Sequence, residues 1–280
     1  HIISSTVEHD AIRKSLDKLE KRGFEVTRLK PDASGAIPVQ SVVDALRDDT
    51  ILVSLMMVNN ETGAVTDISA VSRELKRAGS QALLHTDAVQ GFMKVPFRAK
   101  TLGADMISIS GHKIHAPKGI GALYIRAGLK LKPFIVGGSQ ESGMRAGTEA
   151  MPQIAAFGAA SEIAYAGMKE NIARMSALRE RAVSRLERDI PELRVISSAD
   201  SAPHILSISL PGWRSEVLMN FLEARGVYVS RSSACKKGGR SHVLEAVGLD
   251  AKTIDGAIRI GLSRFTTEED IDALCDAMRD

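Results

Sequence analysis

The sequence predicts an α/β protein, with a mainly parallel sheet in a large domain and a smaller α+β domain at the C-terminal end. Three observations carry this. Short apolar runs alternate with amphipathic helical stretches from residue 1 to about residue 127. Those runs lack clean polar alternation, as strands covered by helices on both faces do. A Gly-rich polar stretch at 130–150 and a long Ala-rich stretch at 151–189 then separate this region from a second set of strand and helix patterns. The expected division is residues 1–150, a linking helix over 151–190, and a small domain over 191–280.

The elements follow in order. "HIISS" at the start already reads as a strand. "EHDAIRKSLDKLEKRG" (8–23) reads as a helix with Ile12, Leu16 and Leu19 on one stripe and Gly23 at its end. Pro38 opens "PVQSVVDALRDD" as a first-turn proline. "TILVSLMMV" (50–58), "QALLHTD" (81–87), "ADMISIS" (104–110) and "GALYIRA" (121–127) read as strands buried on both faces. The helix over 67–79 between the first two carries Ile68, Val71 and Leu75, and Gly79 caps it. The helical stretch 151–189 has one weak break near Gly167. Strands are expected at 204–210, 227–234 and 257–263, with a helix over 215–226. A capping box of Thr266 with Glu269 opens the last helix, whose apolar stripe includes Cys275. Because the chain starts inside a strand at His1, the large domain is expected to be incomplete at its N-terminus.

Composition narrows the function. Basic residues number 37 and acidic residues 34, a near balance that leaves no electrostatic footprint for nucleic acid. Aromatic residues make up only 4%, too few for a base-stacking surface. No apolar run approaches the roughly 18–20 residues of a membrane span. Cys235 and Cys275 are far apart and form no zinc-knuckle or CxxC spacing, so a reduced, cytoplasmic setting is the simplest reading.

Ligands of open α/β sheets bind beyond the carboxyl ends of the strands. Three such ends carry polar clusters: "VNNETG" with Asn59, Asn60 and Glu61; "HTDAVQ" with His85, Asp87 and Gln90; "SGHK" with Ser110, His112 and Lys113. Ser and His offer donors to a phosphate. An Asp can hold a cationic ring nitrogen, and a partly desolvated Lys becomes a nucleophile toward aldehydes. Together these are the requirements of pyridoxal 5'-phosphate (PLP). Taken singly, Lys113 reads as a solvated surface charge and Asp87 as a turn former or helix cap; their joint placement at successive strand ends points to the cofactor. His85, Asp87, His112 and His115 also offer metal-ligand chemistry, but their spacing matches no known zinc pattern. Cys235 lies in "SRSSACKKGGRSH", a polar, glycine-containing segment, with Lys236, Lys237 and Arg240 near it. Neighbouring cations favour a reactive thiolate; an incidental surface cysteine is the other reading.

Seven motifs then occur in order: "VEHDAI", "VNNETG", "HTDAVQ", "SGHKIHAPKGIGALY", "MRAGTEA", "SSAC" and "AIRIGLSRFTTEEDI". The chain resembles the NifS/IscS-type cysteine desulfurases, class V members of the fold-type I PLP-dependent aminotransferase superfamily. The resemblance implies a PLP enzyme that converts L-cysteine to L-alanine and passes the sulfur, as an enzyme persulfide, to an acceptor protein for iron–sulfur cluster or thiolation pathways. It implies that Lys113 forms the Schiff base, Asp87 pairs with the pyridinium nitrogen and Gln90 bonds the ring hydroxyl. His9 stacks on the ring and assists proton transfer, and Asn60 lies near the ring hydroxyl and substrate. Ser110 and His112 bind the phosphate. Thr148 reaches the phosphate of a neighbouring subunit, which implies a homodimer. Arg259 clamps the substrate carboxylate, and Cys235 accepts the sulfur. Without the resemblance, His9 reads as a helix-start residue, Asn60 as a turn residue, Thr148 as a helix cap and Arg259 as an edge-strand charge.

The pattern also departs from the family. The family's N-terminal region, with a further Gly/Thr phosphate-binding motif, has no counterpart before His1. The segment around Cys235 is shorter than in long-loop members and lacks the usual Gly before "SAC". The competing expectations are a related PLP-dependent selenocysteine lyase or aminotransferase, and an incomplete fragment without catalysis.

Overall fold

The computed structural model describes residues 1–232 and 239–280. The first half runs β1 (Ile2–Ser5), α1 (Asp10–Glu20), β2 (Val26–Leu29), α2 (Val39–Asp44), β3 (Leu52–Met56), α3 (Ile68–Arg77), β4 (Leu83–Asp87), α4 (Ala99–Leu102), β5 (Met106–Ser110) and β6 (Gly121–Ile125). These six strands form one sheet in the order β2-β1-β3-β4-β5-β6. The first five are parallel. Chain order reverses beside β1, since β2 lies on one side of it and β3 on the other. That reversal opens a crevice at the carboxyl ends of β1 and β3.

The apolar runs form strands because burial on both faces is their cheapest state. Ile3, Val53, Leu55, Leu84 and Ile107 are all buried in one core. Helix α3 buries Ile68, Val71 and Leu75 against it, and Asp67 caps its first turn by accepting the Ala70 N–H at 2.8 Å. Helix α1 begins two residues later than its pattern suggests, because His9 serves as its cap. Pro38 likewise occupies the cap position ahead of α2, one place before the expected first turn.

Strand β6 differs from expectation. It pairs antiparallel with β5, and Leu123 and Tyr124 are exposed. Only residues 111–120 link the two strands, and they include a tight 3-10 turn. That is too short for the crossover a parallel partner needs.

The chain continues through α5 (Met151–Ala166) and α6 (Met168–Asp189), which meet at Gly167. Then come β7 (Arg194–Val195), β8 (Ile205–Ser209), α7 (Ser215–Glu223), β9 (Ser230–Arg231), α8 (His242–Val247), α9 (Ala251–Asp255), β10 (Ala257–Gly261) and α10 (Glu268–Arg279). The second sheet has the order β7-β8-β10-β9 and is antiparallel. Helices α6, α7 and α10 close a second core over it, with Leu186, Leu206, Ile258, Leu274 and Cys275 buried. The strand expected over 227–234 is reduced to the two residues of β9; positions 233 and 234 lie outside the described residues.

The capping box of α10 is one residue later than expected, on Thr267 and Asp270. Thr266 is committed elsewhere: its hydroxyl accepts the Ser263 N–H at 2.9 Å.

The two sheets are joined through the chain at residues 59–63. The Thr62 carbonyl accepts the Ser197 hydroxyl at 2.6 Å, and the Gly63 carbonyl accepts the Ala202 N–H at 2.8 Å. Gly63 has a φ of 78°, and a Cβ there would sit 3.1 Å from the Ile205 carbonyl oxygen. Gly23 has a φ of 92° but open space around it. Gly23→Ala should therefore cost about 1 kcal/mol of backbone strain. Gly63→Ala should cost about 2–3 kcal/mol, strain and overpacking together. Urea unfolding midpoints of the two variants against the parent chain check the difference.

Candidate active site

Every strand end at the crevice contributes a polar side chain. Glu8 and His9 follow β1, Asn60 and Glu61 follow β3, Asp87 and Gln90 close β4, and Ser110, His112 and Lys113 follow β5. All of these line one cleft of about 390 Å3, together with Arg259 from β10 and Arg240 and His242 around the start of α8.

Asp87 is the last residue of β4 and is only 8% exposed. One of its oxygens accepts the Val89 N–H at 2.9 Å, which turns the chain out of the sheet. Among the described residues its other oxygen has no hydrogen bond. His85, two residues back, does not line the cleft. Its ring nitrogens lie 2.8 Å from the Ser54 hydroxyl and 2.9 Å from the Ser108 hydroxyl, so it braces β3 and β5. Both nitrogens are thereby engaged, and among the described residues no three His, Cys, Asp or Glu side chains gather as a metal site.

Lys113 sits in the 3-10 turn after β5. Partial burial, and then the Arg259 charge, hold its ammonium below the ordinary lysine range. The Ser110 hydroxyl and His112 Nδ1 are 2.8 Å apart beside it. A smaller cavity of about 90 Å3 is lined by Lys113 and Lys94. Burial, and then Lys113, bring Lys94 down to about 8.

His9 both caps α1, accepting the Ala11 N–H at 3.2 Å, and lines the cleft. Asn60 enters through its backbone as well: its carbonyl accepts an Arg259 N–H at 2.7 Å. Asn59 is the turn organiser of the pair, with its side-chain oxygen accepting the N–H groups of Glu61 and Thr62, both at 2.9 Å. Arg259 is not an edge charge, because β10 is flanked by β8 and β9. Thr148 is exposed and lies outside the cleft of its own chain. Cys235, Lys236 and Lys237 lie outside the described residues.

Two acids were not singled out for a role from sequence. Glu8 is fully buried and joins the two strands of the crevice: it accepts the Ser5 hydroxyl at 2.6 Å and the Met56 N–H at 3.0 Å through one oxygen. The other oxygen is buried and has no hydrogen-bond partner among the described residues. Burial raises its pKa to about 8; the two hydrogen bonds oppose this, and nearby Asp87 adds to it. Glu61, 5% exposed, is raised to about 7 by burial, against the Ser241 hydrogen bond and the Arg259 charge. The available signal was position alone, since each acid lies in the segment that leaves an apolar strand end.

A family model described as aminotransferase class-V matches residues 1–274. The chain belongs to that family. It is 44% identical to cysteine desulfurase 2 of Trichormus variabilis, over 99% of this chain and 70% of that protein. A solved structure titled NifS-like protein superposes with a TM-score of 0.93 at 36% identity, over 99% of this chain and 73% of the other. A structure titled SspA in complex with cysteine superposes with a TM-score of 0.80 at 33% identity, over 95% and 74%. The fold is therefore that of the fold-type I PLP-dependent transferases.

Glu8 also sets a pH dependence. Its folded pKa of about 8 lies above the 4.5 of an ordinary glutamate, so the folded state binds more protons between these values. Its contribution is present at low pH and is lost as pH rises through about 8. Glu8→Gln removes that titration. The unfolding midpoint of the parent chain should fall, relative to Glu8→Gln, between pH 5 and pH 9.

Proposed function

We propose that this chain is a PLP-dependent cysteine desulfurase that takes sulfur from L-cysteine, releases L-alanine and passes the sulfur to an acceptor protein. The observation that carries the reading is the convergence of Lys113, Asp87 and Arg259 on one cleft.

The donor set fits the cofactor. Lys113 is an amine held below its ordinary range, as a group that condenses with an aldehyde needs to be. Asp87 has an oxygen to offer a ring nitrogen, and Ser110 and His112 place a hydroxyl and an imidazole side by side for a phosphate. Bound PLP supplies an electron sink for the carbon fragment of the substrate. Lys113 would hold the cofactor aldehyde and, once released, carry protons to and from the substrate carbon. Gln90 and Asn60 would orient the ring hydroxyl, and His9 would cover the ring and assist proton transfer. Arg259 would fix the substrate carboxylate through a bidentate fork.

Cys235 would take the sulfur. Its thiolate forms the new S–S bond as the substrate C–S bond breaks, and the carbon fragment keeps the bonding pair. That fragment takes up a proton and leaves as alanine, while the persulfide remains for the acceptor.

A homodimer is part of the proposal. Thr148 lies outside its own cleft, and Phe134, Val136 and Met151 expose large apolar side chains on neighbouring stretches of the chain. Among the described residues no helix is long and apolar enough to cross a membrane. A cytoplasmic setting is proposed with it.

After reconstitution with PLP, the protein should show a visible cofactor band that Lys113→Ala abolishes. Cys235→Ala should keep the band yet lower alanine formation from L-cysteine by about 100-fold or more. Alanine formation by Cys235→Ala at the parent rate would remove Cys235 from the reaction.

A further inference from the structure

Arg259 and Glu61 are near neighbours that do not pair. The Arg259 guanidinium donates to the Asn60 carbonyl at 2.7 Å, one residue before Glu61. Each feels the charge of the other. Yet among the described residues no ion pair within 4.0 Å joins them, and the remaining Arg259 N–H groups have no hydrogen-bond partner. A carboxylate within reach of a guanidinium ordinarily takes it as a bidentate pair.

The Glu61 carboxylate is held elsewhere. It accepts the hydroxyl of Ser241, the cap residue of α8. Ser241 in turn accepts the Leu244 N–H at 3.1 Å, so its single proton is free to go to Glu61. The Glu61 backbone is fixed too, because its N–H donates to the Asn59 side chain.

We propose that Glu61 is a positioning residue for Arg259, held off the guanidinium by Ser241 so that the fork stays open to the carboxylate of the substrate. This rests on the reading of Arg259 as the carboxylate-binding residue. The Ser241–Glu61 contact and the Asn60 carbonyl act on the same five-residue turn. Together they set where Arg259 points without occupying it.

The arrangement makes carboxylate affinity depend on pH. As Glu61 loses its proton, its negative charge offsets the guanidinium field, and a bound carboxylate is held less tightly. The other titratable or charged groups of this cleft are Glu8, His9, Asp10 and Arg13 at the start of α1, Asp87 after β4, His112 and Lys113 after β5, Arg240 and His242 around the start of α8, and Arg259 itself. Their titration is common to the parent chain and to Glu61→Gln, so the ratio of the two affinities isolates Glu61.

The test uses the PLP-loaded full chain and reads binding from the change in cofactor absorbance. The probes are L-alanine and L-alaninamide, which lacks the carboxylate charge. Ser241→Ala should weaken L-alanine by about 10-fold and L-alaninamide far less, a loss of one charge-assisted hydrogen-bonding arrangement. Ser241→Thr, which keeps the hydroxyl, should restore most of that loss. Between pH 6 and pH 8, the affinity of Glu61→Gln for L-alanine should rise roughly 3–10-fold relative to the parent chain. With L-cysteine, Ser241→Ala should raise KM more than it lowers kcat.

Equal losses for both probes in Ser241→Ala would mean general collapse of the site and would overturn the proposal. So would a pH-independent ratio for Glu61→Gln. Arg259→Ala separates the two levels. If it weakens L-alanine while the Glu61 and Ser241 variants bind like the parent, the positioning role alone fails. If Arg259→Ala itself binds L-alanine like the parent, the carboxylate reading beneath it fails as well.

Discussion

The turn at residues 59–63 is the constraint on which the rest of the site depends. Its five residues leave the carboxyl end of β3, and each of them makes one hydrogen bond to a group distant in sequence. The Asn59 side chain shapes the turn and also donates to the Val7 carbonyl beside β1 at 3.1 Å. The Asn60 carbonyl receives Arg259, the Glu61 carboxylate receives Ser241, and the Thr62 and Gly63 carbonyls receive Ser197 and Ala202. One turn therefore sets the second sheet against the first. The Val7, Ser197 and Ser241 bonds are buried, where an unmade partner costs most, so the relative placement of the two sheets follows from them.

That placement explains why the cleft mixes groups from both halves of the chain. The parallel sheet delivers Asp87 and Lys113 from adjacent strand ends, with spacing set by sheet register: Asp87 lies opposite Ser108, two residues before Ser110. Arg259 comes from an interior strand of the other sheet. A strand held by ladders on both sides is a rigid mount for a long side chain. Glu8 performs the matching task within the parallel sheet, tying β1 to β3 where the chain order reverses.

Much of this was legible in the sequence, for physical reasons. β3, β4 and β5 are apolar runs with polar ends, and burial demands that pattern, so Asp87, Ser110 and Lys113 stood out by position. The 3.6-residue stripes of α1 and α3 were equally plain. Strand β2 was missed because its Val-Thr-Arg-Leu sequence lies on a sheet edge with only Leu29 buried. The direction of β6 depended on the turn at 111–120, not on its own apolar residues. The α10 capping box was misplaced by one residue because two threonines and neighbouring acids offered equivalent choices; only the Ser263 contact breaks that tie. The roles given to His9, Thr148 and Cys235 came from motif resemblance, since their residue types alone fit ordinary turns, caps and surface thiols.

What sequence reading could not supply was burial around ionisable groups, and burial decides the chemistry here. A low-dielectric cleft pushes acids up and amines down, so each drifts toward its neutral form. Glu8 and Glu61 rise while Lys113 falls, as does Lys94 in the smaller cavity that Lys113 also lines. At neutral pH the cleft thus carries less charge than its residue count suggests. Arg259 is lowered by burial too, but a guanidinium starts so far above neutral pH that it stays charged. The result is a division of labour set by side-chain chemistry. A lysine in this environment can give up its proton and act as a nucleophile, whereas an arginine beside it remains a fixed cation against which a carboxylate is aligned. Exchanging the two residue types would fail on both counts: a guanidinium at 113 has no amine to condense with an aldehyde, and an ammonium at 259 has neither the fork nor the fixed charge.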